Sequence, residues 1–97
     1  MNEPVRAGAV TRLLEICNKK GLHARASAKF CQTVERFDAA VRVTRGSETV
    51  GGTSIMGLMM LGAATGTTIT VEATGHEATA AIEAIDQLVS SGFGEED

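Results

Sequence analysis

The sequence predicts an α+β domain with one antiparallel four-stranded sheet and three helices on one face of that sheet. Short stretches of alternating apolar and polar residues indicate strands that are buried on one side only. Two longer stretches with apolar residues three or four positions apart indicate amphipathic helices, and glycine-containing turns separate these stretches. Because each strand has a single apolar face, all the helices must cover that face, and the domain has two layers.

Composition narrows the class of protein before any single residue is considered. The chain has 97 residues, enough for one hydrophobic core, and a formal net charge of -3 with no Trp or Tyr, which argues against nucleic-acid binding. No apolar run approaches the length of about 20 residues needed to span a bilayer, and residues 1–11 do not resemble a signal peptide. Cys17 and Cys31 do not form a CxxC pair, so a reducing compartment is expected. These features predict a cytoplasmic protein without nucleic-acid or membrane partners.

The first elements are a strand and a helix that follow a flexible N-terminal extension. Residues 1–9 include the only proline, Pro4, and show no hydrophobic period, so the domain is expected to begin at residue 10. Residues 10–17 alternate as a strand does, except that Leu13 falls on the polar face. Residues 24–37 form a predicted helix, whose core-facing stripe consists of Ser27, Phe30, Cys31, Val34 and Phe37.

The central elements are a hairpin and a short helix. Residues 40–44 and 48–50 are predicted strands, and the Gly46-Ser47 pair supplies the turn between them. Residues 54–61 are a predicted short helix, because they open with a serine suited to capping and end at a glycine. This helix carries more apolar side chains than one face can bury, so we expect part of it to be exposed.

The last elements are the clearest strand and the clearest helix. Residues 68–74 alternate without interruption, and residues 76–91 carry one continuous apolar stripe that ends at Gly92. His76, at the start of this helix, is expected to be solvated or to cap it. We therefore place the domain at residues 10–92 and treat residues 93–97 as a short acidic C-terminal tail.

The residue best placed for chemistry is His23, which directly precedes the helix at residues 24–37. The backbone N–H groups of Ala24, Arg25 and Ala26 then lie in the first turn, where no helical carbonyl accepts from them. A neutral imidazole nitrogen can attack phosphorus, and the free amides and the helix dipole would hold the phosphoryl oxygens. The Arg25 guanidinium can add a forked contact to the same oxygens.

The residues alone leave two other interpretations of His23 to consider, a helix cap and a metal ligand. His23 can simply cap the helix, with Arg25 as a solvated surface residue, and this interpretation stays open at this point. A metal site is not expected, because Cys17, His23, Cys31 and His76 lack the close paired spacing of zinc ligands.

Two motifs in the chain resemble those of a known family. Residues 21–25 (GLHAR), followed by Ala28 and Phe30, resemble the active-site signature of HPr, the histidine-containing phosphocarrier of the phosphoenolpyruvate-dependent phosphotransferase system. Residues 54–59 (SIMGLM), closing at residues 61–62, resemble the regulatory-serine segment of the same family. The likeness extends over residues 10–91 and implies the HPr fold, an open-faced β-sandwich with four antiparallel strands and three helices on one face.

The resemblance implies a role for each matched residue. His23 matches the histidine that is phosphorylated on Nδ1 by enzyme I and passes the group to EIIA-type acceptors, and Arg25 matches the arginine that helps to hold the phosphate. Ser54 matches the serine modified by HPr kinase/phosphorylase in bacteria that have that enzyme, although serine is also an ordinary helix cap. Asn18 falls where the family often has an asparagine in the active-site loop. One position departs from the family pattern, since Ala26 stands where proline usually follows the arginine.

The resemblance also implies a mode of action and an alternative to it. The chain is expected to be a monomeric phosphoryl carrier without turnover of its own and without a cofactor, serving sugar transport. The alternative is a regulatory binding module of a nitrogen-type or incomplete phosphotransferase system, in which phosphorylation decides which partner can bind. An adaptable apolar patch on the short helix would suit several weakly bound partners, and its expected members are Ile55, Met56, Met59 and Met60.

Overall fold

A computed structural model describes residues 9–95 of the chain. Nearly all of the expected N-terminal extension, and the last two residues of the expected tail, therefore lie outside the described residues. The described strands are β1 (Val10–Glu15), β2 (Ala40–Arg45), β3 (Glu48–Gly51) and β4 (Thr68–Thr74). The helices are α1 (Ala24–Glu35), α2 (Ile55–Met60) and α3 (Ala78–Ser90), with a short 3-10 helix over Gly92–Gly94.

The four strands form one antiparallel sheet in the order β1-β4-β2-β3. Its register brings Leu14 opposite Ile69 and Val43 opposite Val71, so the buried side chains of neighbouring strands lie on the same face. The other face carries polar and charged residues and the exposed Leu13. The predicted fold class is confirmed, and the predicted ends of β1, α1 and α3 differ from the observed ones by two residues or fewer.

The hydrophobic core lies between the apolar face of the sheet and the helices. Phe30 of α1 and Ile82 and Ile85 of α3 are fully buried in one core cluster with the apolar residues of the sheet. Helix α2 packs against α1 and contributes Leu58, which is also fully buried. Burying a side chain of this size contributes about 1.5–3 kcal/mol, so these four residues are a large part of what holds the helices on the sheet.

The C-terminal boundary of the domain lies beyond Gly92, the residue at which the sequence pattern places it. Phe93 is 1% exposed and belongs to the core, although its φ of 59° is unusual for a residue with a Cβ. The Lys29 side chain donates to the Phe93 carbonyl at 2.7 Å. Residues 93–95 therefore pack against the domain, because a large aromatic side chain at the start of the expected tail is removed from water.

The loop between β1 and α1 is fixed to the loop that precedes β4. The Leu22 N–H donates to the Ala63 carbonyl at 3.0 Å, and the Ser27 hydroxyl donates back to the Leu22 carbonyl at 3.2 Å. Gly21 adopts a φ of +66°, and a Cβ there would overlap the Ala63 carbonyl. Only glycine fits this approach, and the residue two positions later is His23.

Candidate phosphoryl-transfer site

His23 is the N-terminal capping residue of α1. Its backbone is extended, with φ -76° and ψ -177°, and its Nδ1 atom accepts from the Arg25 N–H at 3.3 Å. The first helical hydrogen bond runs from the Ser27 N–H to the His23 carbonyl at 2.8 Å. The N–H groups of the first turn therefore have no carbonyl acceptor within the helix, and Nδ1 lies at the positive end of the helix dipole. The capping interpretation and a reactive Nδ1 describe the same geometry, because the lone pair that caps the helix is the one that would attack.

An open cavity of about 630 Å³ surrounds the imidazole. Its positively charged members are Lys20, Arg25 and Lys29, and the remaining lining residues are His23, Ala24, Gly94 and Glu95. The His23 side chain is 27% exposed, so a partner can reach it from solvent. Three cations beside a helix N-terminus make this cavity favourable for an anion such as a phosphoryl group.

Glu95 is the site residue that the sequence did not predict. Its carboxylate accepts from the Nε2 atom of His23 and, through its other oxygen, from the Asn18 side-chain amide at 3.1 Å. The hydrogen bond from His23, followed by the one from Asn18, holds the pKa of Glu95 below its usual range. The acidic composition of the last residues was visible in the sequence, but nothing in it indicated that one of these carboxylates meets the histidine.

Asn18 joins the loop after β1 to the C-terminal segment. The residue is almost fully buried, and its Nδ2 atom donates both to the Gly21 carbonyl at 2.8 Å and to Glu95. The Thr65 hydroxyl donates to its backbone carbonyl. Asn18 thus lies in the loop before His23 and links the backbone of that loop to the carboxylate on the far side of the ring.

Ala26, which replaces the family's usual proline, is fully buried in the first turn of α1. Its N–H is one of the first-turn amides that donate to no carbonyl of the helix, because the first helical hydrogen bond starts at the next residue. Alanine therefore adds a donor near His23 that a proline would lack.

Ser54 lies apart from this cavity, at the N-terminus of α2. Its side-chain oxygen accepts from the Gly57 N–H at 2.9 Å, so the serine is a helix cap. A Cβ on Gly57 would come within 2.8 Å of the Ser54 hydroxyl oxygen and 3.0 Å of the Val50 Cβ. Glycine inside so short a helix is explained by this close approach and not by helix propensity.

The apolar side chains of α2 divide into a buried anchor and an exposed patch. Leu58 is buried, whereas the exposed fractions of the expected partner-binding residues are 42% for Ile55, 68% for Met56, 40% for Met59 and 73% for Met60. The prediction that this helix is only partly buried is confirmed. Four large apolar side chains on one short helix form a patch of the kind that monomeric proteins rarely leave exposed without a partner.

The other candidate residues lie outside both features. His76 is exposed in the turn before α3, and Cys17 and Cys31 are free thiols. Within residues 9–95 no three His, Cys, Asp or Glu side chains are grouped as metal ligands. None of the helices over the same residues combines the length and apolar character needed to cross a bilayer.

Comparison with known proteins identifies the family. Residues 10–91 match the family model described as the PTS HPr component phosphorylation site. The phosphocarrier protein HPr of Neisseria meningitidis is 51% identical over 82 residues, covering 84% of this chain and 92% of that protein. The phosphocarrier protein NPr of Shewanella violacea is 42% identical over 84 residues, covering 87% and 92%.

Solved structures agree with this result. The crystal structure of HPr-C-His from Thermoanaerobacter tengcongensis superposes with a TM-score of 0.86 at 40% identity, covering 91% of this chain and 99% of that one. An HPr dimer from the same organism has a TM-score of 0.71 at 38% identity, covering 98% and 100%. The chain belongs to the HPr family of phosphocarrier proteins of the phosphotransferase system.

Proposed function

We propose that this chain is a phosphoryl carrier that takes a phosphoryl group from phospho-enzyme I on Nδ1 of His23 and passes it to EIIA-type acceptors. The observation that carries the proposal is the position of Nδ1, which faces the Arg25 N–H at the start of α1 inside an open cationic cavity. A carrier needs a nucleophilic nitrogen, fixed donors for the phosphate and access for two partners. Nδ1 of His23, the first-turn amides and the partly exposed ring support these three requirements.

The chemistry follows from the local geometry. When Nδ1 bonds to phosphorus, it no longer accepts from the Arg25 N–H, which then becomes free to donate to a phosphoryl oxygen. The amides of Ala24 and Ala26 and the Arg25 guanidinium are the further donors for the remaining oxygens. The partner supplies the rest of each active site, so the chain acts as a carrier without independent turnover.

The test is transfer from enzyme I in the presence of phosphoenolpyruvate and Mg²⁺, followed by intact-mass spectrometry at neutral to alkaline pH. We expect one acid-labile phosphoryl adduct on the native chain and none on His23→Ala. His76→Ala is the matched control, because it removes the other histidine of the chain, an exposed one, and should still be phosphorylated. An adduct on His23→Ala, or no adduct on the native chain with an active enzyme I from the same organism, would overturn the proposal.

Ser54 is the proposed regulatory site. Its hydroxyl is a half-buried cap at the start of α2, next to the exposed apolar patch. A phosphoryl group there would place nearly two negative charges beside that patch, so it would hinder docking and leave the fold intact. We expect HPr kinase/phosphorylase with ATP to modify the native chain and the neighbouring control Thr53→Ala, but not Ser54→Ala. Modification of Ser54→Ala to the native extent would exclude this site.

The proposed docking surface consists of Ile55, Met56, Met59 and Met60. Its support is their exposure together with the adaptability of methionine side chains, which suits weak binding to enzyme I and to EIIA-type partners alike. Met56→Lys and Met60→Lys should raise the Kd for enzyme I and leave the melting temperature unchanged. Leu13→Lys, an exposed apolar residue on the opposite face of the sheet, is the control that should bind as the native chain does. If all three variants bind enzyme I as tightly as the native chain, α2 is not part of the interface.

A second candidate function is a regulatory module of a nitrogen-type phosphotransferase system, and the likeness to the Shewanella violacea NPr favours it. The discriminating measurement is the rate of transfer from the phosphorylated chain to a sugar-specific EIIA and to a nitrogen-type EIIA. Faster transfer to the sugar-specific acceptor supports transport, and the reverse supports regulation. The proposed state is a monomer in the cytoplasm, which size-exclusion chromatography with light scattering and cell fractionation would test.

A further inference from the structure

The C-terminal segment holds the Glu95 carboxylate at the Nε2 edge of the His23 ring, which is the edge opposite the helix amides. The imidazole has two hydrogen-bond partners, the Arg25 N–H at Nδ1 and the Glu95 carboxylate at Nε2. An atom that accepts from an N–H cannot carry a proton, and an atom beside a carboxylate donates to it. Both contacts therefore select the same neutral tautomer, with the proton on Nε2 and the lone pair on Nδ1.

We propose that Glu95 is a positioning residue for phosphoryl transfer, which fixes His23 as the Nε2–H tautomer and so directs the Nδ1 lone pair toward the phosphoryl donor. The proposal rests on the proposed carrier function and assigns a role to a residue in the acidic C-terminal segment. Glu95 does not touch phosphorus in this scheme. It acts through the ring, as the second partner of a reactive histidine commonly does.

The chemical step is balanced without any further reactant. The Nδ1 lone pair forms the N–P bond while the bond between phosphorus and the phosphorylated group of the donor breaks, and the donor atom keeps that electron pair. The Nε2 proton stays in place, so the phosphorylated ring carries a positive charge beside the Glu95 carboxylate. That carboxylate stabilises the charge that develops during the step, in addition to setting the tautomer beforehand.

The carboxylate is held in this place by contacts on both sides. Phe93 is buried in the core and its carbonyl accepts from Lys29, which fixes the backbone two residues before Glu95. Asn18, itself buried, donates to the second carboxylate oxygen. An adventitious surface contact would have neither an aromatic anchor nor a buried amide behind it.

The test compares the native chain with Glu95→Ala, Glu95→Gln and the control Glu48→Ala, whose side chain is exposed at the start of β3. Nitrogen-15 NMR of the His23 ring at alkaline pH reads the tautomer, and rapid-quench transfer from phospho-enzyme I reads the rate. We expect Glu95→Ala to lose the preference for Nε2–H and to accept the phosphoryl group about three- to tenfold more slowly, since a half-buried partner tunes the ring less than a fully buried one. Glu95→Gln keeps an acceptor oxygen without the charge, so it should restore the tautomer and part of the rate.

Each result decides one statement. A slower Glu95→Ala with an altered tautomer, and rescue of both by Gln, supports the positioning role. An unchanged or faster rate in Glu95→Ala, or an unchanged tautomer, overturns it while the native chain is still phosphorylated. A native chain that takes no phosphoryl group at all overturns the carrier function itself, and with it this role, whatever the tautomer. Thermal melting of each variant confirms that the compared chains are folded.

Discussion

Phe93 offers the sharpest test of how the C-terminal segment is attached. It is 1% exposed within the core, so Phe93→Ala removes a full aromatic side chain from a buried position. Such substitutions cost about 3–5 kcal/mol, which is a large part of the roughly 5–15 kcal/mol that holds a domain folded. With a urea dependence of about 1 kcal/mol per molar for a small protein, a loss of this size should lower the midpoint of unfolding by roughly 3–5 M.

The assay is urea unfolding followed by far-UV circular dichroism. Phe37→Ala is the matched control, because Phe37 is only partly buried and should lose roughly 1 kcal/mol or a little more. If residues 93–97 were the unattached tail that their composition suggested, Phe93→Ala would leave the midpoint unchanged. That result would refute both the extended domain boundary and the anchoring of Glu95.

A third variant tests the backbone of the same residue. The left-handed φ of 59° at Phe93 costs an L-amino acid about 1–2 kcal/mol, whereas glycine adopts it freely at an entropic cost of about 0.5–1 kcal/mol. Phe93→Gly should therefore be at least as stable as Phe93→Ala, the reverse of the usual order in regular structure. A glycine variant less stable than the alanine variant by about 1 kcal/mol would show that the residue is not left-handed.

Three further predictions concern the site and its surroundings. Gly21→Ala, which adds a Cβ at positive φ, should cost about 2 kcal/mol, measured as a fall of roughly 10 °C in the melting temperature, and should slow phosphorylation of the displaced His23. Ala26→Pro removes an amide near the phosphate and stiffens the chain, so it should raise the melting temperature and shorten the lifetime of the phosphohistidine, read by mass spectrometry. The Ser90 hydroxyl, followed by a guanidinium on β1, holds the pKa of Asp86 below its usual range. Its stabilising contribution is therefore present above the unfolded-state pKa and is lost as the pH falls through the folded-state pKa, so Asp86→Asn should lower the melting temperature at pH 7 but not in strong acid.

The elements that the sequence predicted well are those whose pattern repeats within the element. Strand β4 alternates over all seven of its residues, and α3 carries an unbroken apolar stripe, so each burial face could be assigned from local spacing. The position of His23 was predictable for the same reason, because a helix start and its free amides depend on neighbouring residues only. The exposure of α2 followed from a count of its apolar residues against its length.

The features that were missed depend on contacts between distant parts of the chain. Phe93 and Glu95 lie in a stretch too short for any period, and a glycine on each side of Phe93 suggested a loose end. Glu95 meets His23 across 72 positions of sequence, a separation at which no local pattern applies. The acidic residues of the tail are also alike in composition, so no feature of the chain distinguished the one that reaches the site.

The two ring nitrogens of His23 therefore depend on different levels of structure. The partner of Nδ1 is the Arg25 N–H in the first turn of α1, and this hydrogen bond forms whenever α1 forms. The partner of Nε2 is present only when the C-terminal segment is packed, which requires the burial of Phe93. Loss of the Phe93 side chain should thus leave the N-terminal end of α1 intact while freeing Nε2, so the first-turn amides and the tautomer of the histidine should be separable by mutation. In the proposed carrier, the phosphate site therefore lies on a local element, and the reactivity of the histidine is adjusted through a distant one.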